Sequence, residues 1–114
     1  MRVHPQAMTK RAAGEIAVIF VSRITGADPD GYAAAAAAME VLAAGQPGYR
    51  GIDSARGGDG LGITISYWAD EAAAVAWRGH AEHTEIRERG RGVWYESYSV
   101  HVAEIVRSYD WTRP

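Results

Sequence analysis

The run Glu15–Thr25, "EIAVIFVSRIT", is the stretch on which the fold turns. Its β-branched content reads as a strand, and apolar side chains fill both alternating sets: Ile16, Val18 and Phe20 on one, Ala17, Ile19 and Val21 on the other. Such a strand has to be buried on both faces.

Downstream, Asp28–Gly48, "DPDGYAAAAAAMEVLAAGQPG", reads as a helix: Asp28 is the N-cap, Pro29 fits the first helical position, and Gly45 with Pro47 ends it. Alanine has the best helix propensity but buries little area, so this helix should lie close to its sheet, with Tyr32, Met39 and Leu42 as the larger contacts. Tyr49–Trp68, "YRGIDSARGGDGLGITISYW", reads as a hairpin turning at Asp59-Gly60. Its glycines have neither the GxGxxG order nor a following Gly-Lys-Ser/Thr, which favours a plain turn over a phosphate cradle. A short helix capped by Asp70 runs to Gly79, a polar helix follows over about 81–89, and Val93–Trp111 closes the chain as a long strand.

The order β, α, β, β, α, α, β makes two βαβ-like halves and predicts an α+β, ferredoxin-like fold: a four-stranded antiparallel sheet with helices on one face. The doubly apolar first strand, repeated by Val100 and Val102 against Ala103 and Ile105, leaves the other sheet face in need of cover. A homodimer packed sheet on sheet is the expectation. Residues 1–14 lack apolar periodicity and are expected to form a flexible arm, with one domain over 15–114.

At 114 residues the chain supports one core that buries roughly two thirds of the unfolded surface. Twelve basic and fourteen acidic side chains, a net charge of -2, offer no field for nucleic acid or an anionic membrane. With no cysteine, disulfide scaffolds, iron–sulfur centres, thiolate zinc sites and cysteine nucleophiles are excluded together. No stretch reads as a signal peptide or a membrane span, and a cytoplasmic location is expected.

Chemistry concentrates in Trp68–Gly90, "WADEAAAVAWRGHAEHTEIRERG". Trp68 and Trp77 are each explained by core packing, but together, on a strand end and the next helix, they suggest an aromatic-walled pocket. His80 and His83 have a spacing that could bind metal, but no HExxH pattern or third ligand accompanies them, so a non-metal role such as general base is preferred. Arg87 shares a helix face with His83 and Ile86, whereas Glu85, Glu88 and Arg89 read as solvated surface. No GxSxG elbow is present. An aromatic pocket with a few polar groups suits a flat, apolar ligand.

From about Ile16 to Tyr109 the chain resembles the antibiotic biosynthesis monooxygenase family of the dimeric α+β barrel superfamily. "IAVIFVSRI", "QPGYRGID", "ITISYWADEAAAVAWRGHAEH" and "YSVHVAEIVRSYDW" carry the likeness. The resemblance implies a cofactor-independent monooxygenase acting with O2 on an aromatic small molecule, a polycyclic phenol or anthrone. By similarity to its anthrone oxygenases, Trp68 and Arg87 stand at pocket positions, while Thr64 and Ala74 replace an asparagine and a tyrosine. By similarity to the haem-degrading branch, Trp77 matches a tryptophan, Ser22 replaces an asparagine and Arg87 replaces the iron-binding histidine, which disfavours haem.

The expected site is therefore His83 and Arg87 as catalytic groups, and Trp68, Trp77, His80, Thr64 and Ser22 as substrate-binding groups, with no metal and no cofactor. The alternative expectation is a non-catalytic dimer that binds an aromatic or quinone ligand, or a stress-related protein, with haem binding a distant third.

Overall fold

The computed structural model describes residues 2–3 and 10–114. Its elements are β1 (Arg2–Val3), β2 (Ile16–Ile24), α1 (Pro29–Ala44), β3 (Tyr49–Arg56), β4 (Leu61–Trp68), α2 (Glu71–Arg78), α3 (Ala81–Gly92) and β5 (Tyr95–Glu104). The four longer strands form the expected antiparallel sheet in the order β3-β4-β2-β5, and β1 adds two residues at the β3 edge. The arm expected over residues 1–14 is described only at this strand and from Lys10 onward.

Local chemistry sets the boundaries. Asp28 caps α1 by accepting from the Gly31 amide, and it does so in the left-handed conformation, φ 50°. Its other carboxylate oxygen accepts from Trp94 Nε1 at 3.2 Å, which ties the start of α1 to the approach to β5. In the β3–β4 turn only Gly60 takes the positive φ, +90°. The Gly57 amide closes that turn on the Leu61 carbonyl at 2.9 Å. Asp70 caps α2 through the Ala73 amide at 2.9 Å. The last strand is shorter than expected: it stops at Glu104 because its neighbour β2 begins at Ile16, opposite Glu104. One further bond, from the Ile105 amide to Glu15 O at 2.8 Å, ends the pairing, and Val106, Tyr109 and Trp111 beyond it are exposed.

Strand alternation and register sort the side chains. Ile16, Val18, Phe20 and Ser22 share a face with Trp68, Ser66 and Thr64 of β4 and with Ile52, Ser54 and Arg56 of β3. The helices lie on this face, as the stack of Trp77 on Trp68 and the bond from Arg56 to Tyr32 show. The core is Ile16, Ala43, Trp68, Ala74 and Trp77, with Met39, Leu42 and Tyr49 packed against it. The opposite face carries Ala17, Ile19, Val21, Ile63, Ile65 and Tyr67, and Ile63 is 45% exposed. At one end of that face, Arg11 lies over the Tyr67 ring, 4.0 Å from its centroid, and donates to Arg50 O at 2.7 Å. Gly51, at the β3 bulge with φ +145°, leaves the room that this guanidinium fills.

On the helix side of β5, Val100 and Val102 are 39% and 58% exposed, so the helices leave part of their own face open. Among the described residues, no helix is long and apolar enough to cross a membrane.

Candidate active site

Trp68 closes β4 and has no exposed surface; its indole N–H donates to Ser66 Oγ at 2.9 Å. Trp77, on the inward face of α2, stacks on it with centroids 5.7 Å apart and planes 24° apart. Gly79 ends α2, and the chain reverses through His80 into α3. That turn lets the His83 ring stack on Trp77 as well, at 4.5 Å and 23°.

His83 Nδ1 lies 3.0 Å from the Trp77 carbonyl oxygen. A carbonyl only accepts, so Nδ1 carries the proton and the neutral ring presents its lone pair at Nε2. Burial lowers the His83 pKa below 6.5; the Trp77 carbonyl opposes this, and the charges of Arg87, Arg78 and His80 add to it. The ring is therefore a neutral base at pH 7.

Arg87 follows His83 by one helical turn on the same face, half-buried, and its Nε is buried with no hydrogen-bond partner. His80 tilts against Trp77 with centroids 6.0 Å apart, and its Nδ1 is also buried and unpartnered. Buried polar groups in native proteins are nearly always satisfied, and these two atoms have no protein partner among the described residues.

The remaining two expected residues belong to a different neighbourhood. Ser22 is 2% exposed, and its Oγ accepts from Arg56 Nη2 at 2.7 Å. Thr64 Oγ1 and Ser54 Oγ share a hydrogen bond of 2.9 Å. Both hydroxyls are thus engaged by protein partners: Thr64 lies four residues before Trp68 on β4, and Ser22 lies on the neighbouring β2, paired with Gly62 rather than with Trp68.

The sequence reading missed the Arg56 cluster. Its guanidinium crosses β4 over Gly62 and also donates to Tyr32 Oη at 3.0 Å, to Ser22 O at 3.3 Å and to Gly60 O. The signal was present: a turn at Asp59-Gly60 sets Arg56 opposite Gly62, a long side chain facing none. Tyr95 lies beside this cluster; burial, and then the neighbouring Tyr32, push its phenol well above 10.

A surface groove of about 280 Å³ lies between the α1–β3 turn and α2 and touches the site only through Trp77. Among the described residues, no three His, Cys, Asp or Glu side chains are grouped to hold a metal ion.

Residues 16–89 match the family model described as "Antibiotic biosynthesis monooxygenase". The chain belongs to that family. The Bacillus subtilis protein YqjZ, itself uncharacterized, is 50% identical over 91 residues, 80% of this chain and 79% of its own. Among solved structures, SnoaB, a cofactor-independent oxygenase from Streptomyces nogalater, is similar with a TM-score of 0.69 at 18% identity, over 80% of this chain and 92% of that one. A protein from Shewanella oneidensis gives a TM-score of 0.73 at 12% identity, over 87% and 97% of the two chains. At these identities the structures establish the shared family fold, and chemistry has to be argued from this chain's own residues.

Proposed function

We propose that this family member is a cofactor-independent monooxygenase that oxidises an aromatic phenol or anthrone with O2, acting in the cytoplasm as a homodimer. The observation that carries the reading is the neutral His83 ring, held by the Trp77 carbonyl and, among the described residues, without a partner at Nε2, one turn from Arg87, whose buried Nε is likewise without one. Nε2 removes the phenolic proton; the resulting electron-rich anion reduces O2 directly; Arg87 stabilises the oxygen-centred negative charge. Trp77 supplies an apolar wall that holds the ring, and Trp68 backs it from the core. The second copy covers the open sheet face over Ile19, Val21, Ile63 and Ile65.

One observation favours the second reading, a dimer that binds an aromatic or quinone ligand without turnover. The Ser22 and Thr64 hydroxyls are already engaged, which leaves few polar groups to handle substrate oxygens.

Oxygen uptake by metal-stripped protein with a tricyclic anthrone, without added flavin or haem, separates the two. Uptake above the uncatalysed rate that disappears in Arg87→Ala, with an unchanged melting temperature, supports the oxygenase. A ligand-dependent rise in melting temperature without uptake supports the binding module.

A further inference from the structure

The aromatic rings do not stop at the site. Trp77 stacks on Trp68 at 5.7 Å, and Trp68 meets Tyr49 edge-on at 5.8 Å and 80°. These three rings form an unbroken line from the ring under His83, through the core, to a tyrosine at the start of β3 that is only half-buried. The other aromatic cluster, which includes Phe20, Tyr32, Trp94 and Tyr95, makes no ring contact with this line.

We propose that Trp77, Trp68 and Tyr49 form a redox relay that carries an oxidising equivalent from the His83 side of the site to Tyr49, where it is discharged. The proposal rests on the oxygenase reading for the source of its oxidant, a peroxyl radical: the aromatic anion passes one electron to O2, which leaves as superoxide, and the substrate radical left behind adds a second O2. That radical takes one electron from Trp77 and becomes an anion. Trp68 refills Trp77, and Tyr49 refills Trp68, giving up its phenolic proton to solvent and becoming a neutral tyrosyl radical. A thiol or ascorbate in solution then returns one hydrogen atom to Tyr49.

The surroundings of each ring give the line a direction. Trp68 is sealed from solvent and its N–H rests on a serine hydroxyl, a poor base, so an oxidised Trp68 cannot shed its proton and settle there. Tyr49 is only half-buried, so its phenolic proton can reach water. It is the first ring on the line that is not buried.

The chain has no cysteine, so Arg78→Cys, an exposed position next to Trp77, can carry a single ruthenium tris-bipyridine label. Flash excitation of this label with hexaammineruthenium(III) as electron acceptor, followed by freeze-quench electron paramagnetic resonance, reports where the hole comes to rest. The labelled protein should show a tyrosyl radical. Tyr49→Phe should lose it and show a tryptophanyl signal instead; Trp68→Phe, checked for folding by circular dichroism, should lose the tyrosyl signal as well. Absence of a tyrosyl radical in the labelled parent, or its persistence in Tyr49→Phe, would overturn the relay. Because no substrate is present, failure here leaves the oxygenase reading standing, and a protein that takes up no oxygen can still pass this test.

Discussion

Gly62→Ala tests the arrangement of the sheet at a residue that touches no proposed substrate. A Cβ at this position would lie 2.5 Å from Arg56 Cζ and 2.8 Å from each terminal nitrogen, too close for any pair of atoms to tolerate. The guanidinium would have to leave, stranding the buried Ser22 hydroxyl and the Tyr32 hydroxyl that it now serves. A stranded buried polar group costs about 1–3 kcal/mol, and Tyr32, being only partly buried, recovers some of that from water. The expected loss is therefore about 2–4 kcal/mol, a substantial part of an ordinary domain's stability.

The same substitution in an Arg56→Met background meets only a flexible thioether, and replacing a strand glycine by alanine then returns up to about 1 kcal/mol. Urea unfolding of the four proteins of this cycle, followed by far-ultraviolet circular dichroism with a common m-value, should give a coupling of about 2 kcal/mol or more. If Gly62→Ala costs the same in both backgrounds to within about 0.5 kcal/mol, the guanidinium does not lie across β4 and the account of Ser22 is wrong.

Trp68→Ala should cost about 3–5 kcal/mol in the same unfolding assay, since the side chain is fully buried. A loss below about 1 kcal/mol would mean that the ring faces an open pocket. His83 has a folded pKa below its unfolded 6.5, so the fold binds fewer protons there than the unfolded chain. Its contribution to stability is complete above about pH 6.5 and disappears as the pH falls through the lower folded value; an acid limb of the melting-temperature profile unchanged in His83→Gln would contradict this. Tyr67 donates to Asp53 Oδ2 at 2.7 Å, and burial first and then that bond raise its pKa from 10.0 to about 12. Stability should hold up to pH 10 and fall between 10 and 12, with the slope absent in Tyr67→Phe. On the open sheet face, Ile63→Asp should shift sedimentation equilibrium from dimer to monomer without unfolding the chain; a mass unchanged by the substitution would put the interface elsewhere.

Much of the fold could be read from the chain because its signals are local. The double-faced apolar pattern of Ile16–Val21, the Asp28-Pro29 start of α1 and the Asp59-Gly60 turn each specify an element within a few residues. The site was legible as far as its rings: Trp68, Trp77 and His83 do meet. What escaped depends on three-dimensional register. Which His83 nitrogen carries the proton follows from a chain reversal at Gly79–His80 that returns the ring to the Trp77 carbonyl. Ser22 looked free to meet a ligand because its partner, Arg56, reaches it from two strands away, over a glycine. The early end of β5 was hidden for the same reason, since it is set by where β2 begins.

The place of β2 between β4 and β5 bears on how the molecule is made. As the chain is made, β2 finds one neighbour only after β4 at Leu61–Trp68 and the other only after β5 at Tyr95–Glu104. Contacts so distant in sequence slow folding, and until β5 arrives the apolar edge of β2 stays unpaired. The nascent chain is thus open to mispairing until β5 has been made, and truncation ahead of Tyr95 would release a product ready to aggregate.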